Sequence, residues 1–236
     1  MPADLERSFK ARIKRDNQQF AIKSIYLPNP VFSESPRICV VAMEPAVRQS
    51  QVDGLPHDKK KQSFMNFLAT VQDFILHYCL YLRCGKSFEY YITDISKGAM
   101  TLRDARKKRD ERYKGWIPLL RRELSAFGNP PLVSFGSRPL SILRQEYGSE
   151  HVEYLMHHSL NNAWRFRRVY GGHPHRPRPP HLGRAIRDFS YDLLQMLPYS
   201  QQLRESVFSL KFDDVLKPWH QGMFFYYADR LEEFKL

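Results

Sequence analysis

The chain has 236 residues, of which 42% are hydrophobic, and its 37 lysines and arginines against 25 aspartates and glutamates give a formal net charge of +12. This apolar content is enough for a folded core, so the composition excludes a generally disordered chain. A basic excess of this size favours polyanionic partners such as nucleic acid, although a basic surface alone does not identify one.

Signals for membranes and for secretion are weak. No apolar run approaches the roughly 20 residues needed to span a membrane, and the charged, mixed N-terminal region lacks the apolar centre of a signal peptide. Three cysteines, Cys39, Cys79 and Cys84, do not make a full disulfide framework, which suits a reducing compartment. We therefore expect a cytoplasmic protein that does not contact membranes.

The first predicted elements are a helix, a linker and a buried strand. Residues 1–36 combine a charged segment of helical character with a turn-rich stretch that contains prolines. Residues 38–43 are apolar and partly β-branched, which predicts a strand buried on both faces. Glu44-Pro45 ends this strand, because proline cannot donate to a strand ladder. A carboxylate is thus expected at the strand end, which is the ligand-binding edge of α/β sheets.

The next element is an amphipathic helix. Apolar residues recur at helical spacing between residues 64 and 82, which predicts a helix with one buried face. Ser63 precedes this pattern and is suited to capping the helix N-terminus. Because a helix N-terminus also attracts anions, the same serine is suited to a phosphate contact.

Residues 88–93 predict a second strand, which would deliver Asp94 to the same edge of the sheet. On spacing alone, this aspartate is equally suited to capping the turn that follows. Residues 103–112 carry many charges of both signs, which predicts a solvated surface helix. Residues 116–127 predict a further amphipathic helix that ends at a Gly-Asn-Pro-Pro turn.

Two more strands are predicted at residues 132–136 and 152–156. The last strand delivers His157 and His158 to the edge that holds Glu44 and Asp94. Paired histidines at a strand end are commonly ordinary surface residues, so this pattern alone assigns no function.

A basic, aromatic segment follows the last strand. Arg165, Arg167 and Arg168 are interleaved with aromatic residues, and residues 171–180 are too rich in glycine and proline for a regular element. Basic charge combined with aromatic faces suits a DNA strand that is held open. A proline-rich surface linker is the alternative.

Strands that alternate with helices predict an α/β domain with a central, mostly parallel four-stranded sheet. Helices on both faces would make it a three-layer α/β/α fold with N- and C-terminal helical extensions. We divide this single domain into a helical lead-in and linker at residues 1–36, an α/β core at residues 37–183, and a helical extension at residues 184–236 that packs on the core.

Four segments between residues 38 and 168 resemble motifs of the uracil-DNA glycosylase superfamily, in the family's order. Residues 44–55 resemble its water-activating segment, commonly G-Q-D-P-Y-H-G-P-G-Q-A-H-G-L. In that register Glu44 falls on the catalytic Asp, and identical residues are Pro45, Gln51, Gly54 and Leu55. Residues 63–66 resemble S-L-x-N, residues 91–97 resemble Y-I-T-N-x-x-K, and residues 157–160 resemble H-P-S-x-L, with His158 in place of the Pro.

The resemblance implies an enzyme that flips a base out of DNA and hydrolyses its N-glycosidic bond. Breaking this bond makes an oxocarbenium-like sugar and an electron-rich base, so charge must be placed against each. Glu44 is expected to stabilise the sugar cation and to orient a water, and His157 is expected to donate a hydrogen bond to the base. We expect no cofactor and no metal, because three cysteines cannot supply the four thiolates of the iron–sulfur cluster in some branches of the superfamily.

The same resemblance implies further contacts with the base and with DNA. Asp94 takes the place of the family's Asn, which reads the polar edge of the flipped base. The residues expected at the base are Ala46, Asp53, His57 and Asp94. The residues expected to contact DNA are Ser63, Ser159, Leu160, Asn161, Arg165, Arg167 and Arg168. The wedge that enters the duplex is expected to be Leu160, Asn161 or Trp164.

Two departures from the family pattern point to an unusual base. Ala46 stands where the common uracil enzymes carry a Tyr that blocks substituents at C5. Asp94 replaces an Asn, and a carboxylate accepts from an exocyclic amine such as cytosine N4. A proton shared with N3 would complete a bidentate contact. We therefore expect a C5-modified cytosine such as the glucosylated 5-hydroxymethylcytosine of phage DNA, on which a defence-type branch of the superfamily acts.

Three alternatives remain open from the sequence. The chain is also compatible with a uracil-type repair glycosylase, a non-catalytic nucleic-acid-binding protein on the same fold, and a hydrolase of free modified nucleosides. Formation of abasic sites in DNA separates a glycosylase from the last two. We expect a monomer that acts on modified duplex or single-stranded DNA.

Overall fold

The computed structural model describes residues 1–54, 65–158, 162–171, 181–197, 201–210, 212 and 216–234. Its strands are β1 (Ser24–Tyr26), β2 (Ile38–Ala42), β3 (Tyr90–Asp94), β4 (Gly98–Met100), β5 (Leu132–Phe135) and β6 (Val152–Leu155). Its helices are α1 (Ala3–Phe20), α2 (Gln49–Gly54), α3 (Val71–Arg83), α4 (Leu102–Arg106), α5 (Arg109–Ala126), α6 (Ser137–Tyr147), α7 (Ala163–Gly171), α8 (Leu182–Gln195), α9 (Gln201–Phe208) and α10 (Pro218–Glu233).

The central sheet has the strand order β3-β2-β5-β6, and each neighbouring pair is parallel. Helices pack on both faces of this sheet, so the predicted three-layer α/β/α fold around a parallel four-stranded sheet is confirmed. The sequence pattern does not predict a second sheet, in which β1 pairs antiparallel with β4. Each of these two strands has three residues, which is too short for a periodicity to be recognised.

The two faces of β2 contribute to separate hydrophobic clusters. Ile38, Val40 and Ala42 pack in the cluster that contains α3 and the C-terminal helices. Cys39 and Val41 pack in the cluster that contains α1 and α5. Burial on both faces explains why the strand is a continuous apolar run rather than an alternating one.

The N-terminal helix α1 is fixed against α5 by an aromatic contact and a buried hydrogen bond. The rings of Phe9 and Trp116 lie 6.0 Å apart, and the indole nitrogen of Trp116 donates to Asp16 over 2.8 Å. A Cβ atom at Gly115 would lie 2.0 Å from the Arg12 guanidinium. Glycine inside this helix therefore makes room for the arginine of the neighbouring helix.

The C-terminal helix α10 supports the strand end that leads to His157. The Tyr227 hydroxyl donates to the carbonyl oxygen of Met156 over 3.0 Å, and the Met156 N–H donates to the Tyr226 hydroxyl over 3.0 Å. Both rings also pack against Phe166 of α7. The C-terminal extension is thus part of the core that holds the site.

The helix predicted from residue 64 begins only at Val71, in α3. Thr70 is its N-cap, and Asp73 completes a capping box because its carboxylate accepts the Thr70 N–H over 2.9 Å. The proposed capping role of Ser63 is therefore wrong for this helix, since a threonine close to the first turn takes that place. Ser63 itself lies outside the described residues.

The charged run at residues 103–112 is not the solvated helix that its composition predicts. It is divided between α4 and the first turn of α5, and the side chain of Arg112 is fully buried. The Arg112 guanidinium donates to the backbone carbonyls of Ala105 and Lys107 over 2.7 and 3.1 Å. These hydrogen bonds offset the cost of burying the charge. In the part of the chain that is described, no helix is both long and apolar enough to cross a membrane.

Candidate active site

The carboxyl ends of the four parallel strands meet at one edge of the central sheet. Asp94 is the last residue of β3, and Glu44 lies two residues beyond the end of β2. Gly136 follows β5, and His157 lies two residues beyond the end of β6. The sheet therefore brings the three predicted functional side chains, Glu44, Asp94 and His157, to one edge. Gly136, at the same edge, has a positive φ angle of 112°, which residues with a side chain rarely adopt.

The loop after β2 is held against the segment after β3 by backbone hydrogen bonds. The Ser96 N–H donates to the Met43 carbonyl over 2.9 Å, and the Met100 N–H donates to the Pro45 carbonyl over 3.1 Å. Ala46 forms a parallel bridge with Met100 and is exposed. This pairing fixes the backbone on both sides of Glu44.

The side chain of Glu44 is only 3% exposed, and it lies against the first turns of α5. Arg109 contacts one carboxylate oxygen over 2.8 Å, while the Tyr113 hydroxyl donates to the other. Arg112 adds a positive charge at 3.8 Å. Burial raises the pKa of Glu44, and the hydrogen bond from Tyr113 and the charges of both arginines limit this rise.

Asp94 has a different environment, although it lies beside Glu44. Its side chain is buried, and the Asn66 side-chain amide donates to one carboxyl oxygen. Burial, with a smaller contribution from the negative charges of Glu44 and Glu123, raises the pKa of Asp94 to about 8 against the opposing charge of Lys97. At neutral pH the carboxyl of Asp94 is therefore mainly protonated.

A buried polar network lies behind Asp94. The Lys97 ammonium is 2.7 Å from a carboxylate oxygen of Glu123, and both side chains are at most 2% exposed. The Thr93 hydroxyl donates to Glu123 over 3.0 Å and accepts from the side-chain amide of Asn29 over 2.9 Å. These bonds satisfy groups that would be costly to bury alone, and they fix the end of β3.

His157 is held at the end of β6 by its ring and by its backbone. Its ring lies 4.6 Å from that of Phe135, and its carbonyl accepts from the Asn162 side chain over 2.8 Å. Burial, together with the neighbouring His158, lowers the pKa of His157 to about 3. The imidazole is therefore neutral at physiological pH, and it keeps one ring N–H that can donate a hydrogen bond.

His158 makes a contact that the sequence does not predict. Its Nε2 atom lies 3.1 Å from a carboxylate oxygen of Asp73, which caps α3. Burial raises the pKa of Asp73, but the hydrogen bonds from His158, Thr70 and Ala69 outweigh it, so the pKa is lowered. His158 thus joins the end of β6 to the start of α3.

The contacts described for Asp53, another predicted base contact, are with Lys23 and Gln49 rather than with Glu44 or Asp94. Asp53 lies on α2 with a half-exposed side chain, where it forms an ion pair with Lys23 and accepts from the Gln49 side chain over 3.1 Å. Ala46 is near the site in the chain but contributes no polar group. Five predicted contact residues lie outside the described residues: His57, Ser63, Ser159, Leu160 and Asn161.

Helix α7, which begins directly after the residue that donates to the His157 carbonyl, carries the predicted arginines on its surface. Arg165, Arg167 and Arg168 are exposed, and Trp164 is 49% exposed. The guanidinium groups of Arg165 and Arg168 lie 5.3 and 4.7 Å from the Trp164 ring centre, within the range of cation–π contacts. This helix offers the combination of positive charge and aromatic surface that single-stranded nucleic acid binds.

A cavity of about 640 Å³ lies elsewhere, at the edge where the strands begin. Its lining includes Ile38, Leu132 and Tyr147, none of which is near the strand ends that carry the predicted site. The side chains at the strand ends, rather than this cavity, therefore mark the candidate site. Within the described ranges, no group of three or more His, Cys, Asp or Glu side chains is arranged to hold a metal ion.

Glu44, Asp94 and His157 thus stand at one edge of the sheet, after β2, β3 and β6, as an arginine-paired carboxyl, a protonated carboxyl and a neutral imidazole. Such groups can stabilise a cation, exchange a proton and donate a hydrogen bond. No protein-family model matches this chain, and no curated protein matches it.

Proposed function

We propose that the protein is a monofunctional DNA glycosylase that flips a base and hydrolyses its N-glycosidic bond, leaving an abasic site. The substrate that we propose is a C5-modified cytosine, such as the glucosylated 5-hydroxymethylcytosine of phage DNA. The observation that carries the proposal is the buried carboxyl of Asp94, whose pKa of about 8 keeps it protonated at the end of β3.

A protonated carboxyl offers one donor and one acceptor, so Asp94 can form two hydrogen bonds with the edge of a base. Cytosine presents an acceptor at N3 beside a donor at N4, and this pair matches a carboxylic acid. Movement of the shared proton towards N3 would make cytosine a better leaving group. The hydrogen bond from Asn66 holds the carboxyl in one orientation. This is a stronger basis for cytosine than the replacement of Asn by Asp alone.

The other two side chains have the charges that the chemistry needs. Glu44, ion-paired with Arg109 and hydrogen-bonded by Tyr113, supplies the negative group that stabilises the sugar cation and orients the water. His157 is neutral, and its one ring N–H can donate a hydrogen bond to the base oxygen. Each role follows from the environment of the side chain rather than from its residue type alone.

Two further parts of the proposal, a bulky base and binding to DNA, are supported by residues on the surface around the site. Ala46 is small and exposed, which leaves space for a substituent at C5. The arginines of α7 and the formal charge of +12 favour the DNA backbone. Cys39, Cys79 and Cys84 are free and buried, which is compatible with the reducing cytoplasm where we propose that the protein acts.

The proposal is tested with genomic DNAs that differ only in their modified cytosines, each incubated with the protein and then cleaved by alkali at abasic sites. Cleavage should appear in DNA with bulky C5 groups and should disappear with Glu44→Gln. Glu150→Gln, which changes an exposed glutamate at the opposite sheet edge, is the matched control and should remain active. Cleavage of uracil-containing DNA alone would instead favour a repair glycosylase.

A further inference from the structure

Glu44 and Asp94 are buried carboxyls on neighbouring strand ends, yet their closest neighbours differ in charge. Glu44 contacts Arg109 and Tyr113, with Arg112 close behind. Asp94 is hydrogen-bonded by a neutral amide, and the Lys97 ammonium near it is already paired with Glu123. Burial is the largest cause that raises the pKa of both carboxyls, but the close neighbours of Glu44 all lower its pKa, whereas the negative charges of Glu44 and Glu123 add to the rise at Asp94.

We propose that Tyr113 and Arg109 are positioning residues that hold Glu44 ionised while Asp94 beside it stays protonated. This inference deepens the proposed glycosylase function and rests on it. Two carboxyls in opposite protonation states give one site both an anion for the sugar and an acid for the base.

Tyr113 is suited to this role because its hydroxyl remains a donor. Burial and the nearby charge of Glu44 raise the pKa of Tyr113 well above its ordinary value, so the hydroxyl keeps its proton. A hydroxyl that donates to a carboxylate stabilises the ionised form of that carboxyl. Removal of the hydroxyl should therefore make Glu44 harder to ionise.

Tyr113 and Arg109 also restrict the orientation of Glu44. Arg109 contacts the Oε1 atom of Glu44 and Tyr113 donates to the Oε2 atom, so both oxygens of the carboxylate are held in place. Arg112 is held by backbone carbonyls and contributes charge rather than a close contact. Glutamate has one more rotatable bond than the family's aspartate, and these two contacts remove the freedom that the extra methylene adds.

The test is the pH dependence of base excision by Tyr113→Phe on DNA with a bulky C5-modified cytosine. Activity that needs ionised Glu44 and protonated Asp94 should be bell-shaped in pH. In the variant the acidic limb should move to higher pH while the alkaline limb stays in place. At the lowest pH, the activity of the variant relative to its own plateau should be about tenfold lower than that of the unchanged protein. This is the effect expected when a hydrogen bond to a charged group is removed.

The matched control is Tyr147→Phe, which also removes one buried hydroxyl but lies at the opposite sheet edge, where that hydroxyl has no hydrogen-bond partner among the described residues. Its pH profile should equal that of the unchanged protein. A Tyr113→Phe protein that is less stable but has an unmoved acidic limb would overturn the proposal, because a merely structural tyrosine gives this result.

A second measurement does not depend on glycosylase activity. The carboxyl carbon of Glu44 can be followed by NMR in protein with labelled glutamate, and the signal is assigned as the one missing in Glu44→Gln. Titration of this carbon should move to higher pH in Tyr113→Phe and in Arg109→Gln, which serves if the first variant does not fold. An unmoved titration overturns the inference. A moved titration in a protein that cleaves no DNA supports the inference and overturns the proposed function instead.

Discussion

The side-chain amide of Asn66 donates a hydrogen bond to the carboxyl of Asp94, and the same nitrogen lies 2.6 Å from the side-chain oxygen of Asn29. Three segments that are distant in the sequence are therefore joined at the end of β3. The amide orients Asp94 without adding charge. As a donor it lowers the pKa of Asp94, but burial outweighs this effect and keeps the carboxyl mainly protonated at neutral pH.

Asparagine in place of Asp94 should weaken the selection of cytosine. An amide is fixed as a donor and an acceptor but has no acidic proton, so Asp94→Asn cannot pass a proton to N3 and should admit uracil. A base contact of this kind contributes roughly 1–3 kcal/mol of discrimination. The measurement is the ratio of excision rates on paired oligonucleotides with modified cytosine or uracil. If the unchanged protein removes uracil as readily as any cytosine derivative, Asp94 does not read the base.

Asp94 should also make the folded state less stable as pH rises. Its pKa is about 8 in the folded protein and close to the ordinary value of 3.8 in the unfolded chain, so between these values the folded state binds more protons. The free energy of unfolding should therefore fall from pH 4 towards pH 8. Melting temperatures of the unchanged protein and of Asp94→Asn should accordingly change differently with pH across this range. An identical pH dependence in both proteins would contradict the raised pKa.

Buried histidines should destabilise the protein at the acidic end. Burial lowers the pKa of His77 to about 4 and that of His157 to about 3, both below the ordinary value of 6.5. The unfolded chain takes up protons first, so stability should decrease progressively as pH falls below about 6.5. Replacing His157 with Gln should reduce this decrease in a denaturant titration series. A variant with the same acid sensitivity would show that His157 is not buried and neutral.

The arginines of α7 should contribute to DNA affinity through charge. Replacing Arg165 and Arg168 with Gln should weaken binding and lower the slope of log affinity against log salt by roughly 1 for each phosphate that the variant no longer neutralises. The control replaces Arg121 and Arg122 with Gln, two exposed arginines of α5 that carry the same charge. Equal decreases in affinity for both pairs would mean that net charge, and not this helix, determines binding.

Ala46 provides a test of the space at C5. Tyrosine at this exposed position should leave folding intact but occupy the volume that a C5 group needs. Excision of a bulky C5-modified cytosine should therefore collapse, while nonspecific DNA binding should survive. Ala126→Tyr, at an exposed position near the end of α5, is the control. Full activity of Ala46→Tyr on the bulky substrate would show that Ala46 does not line the C5 side.

The sequence predicts the four strands of the central sheet and the edge where they end, because their apolar runs and the residues that stop them are local features. The sequence alone therefore places Glu44, Asp94 and His157 at one edge. It does not place their partners, because Tyr113 contacts Glu44 across 69 positions of the chain, and no spacing rule relates the two. The motif register alone predicts Asp53 at the base, whereas its place on α2 turns it towards Lys23.

The measurement that most directly tests catalysis through Glu44 is single-turnover release of the base from an oligonucleotide with one bulky C5-modified cytosine. The unchanged protein should release the base and leave an abasic site. Glu44→Gln should bind the same DNA but react more slowly by on the order of 10²–10³, the usual cost of removing an aimed electrostatic group. Base release by Glu44→Gln at the full rate, or no abasic site with any modified cytosine, would contradict a glycosylase that works through Glu44.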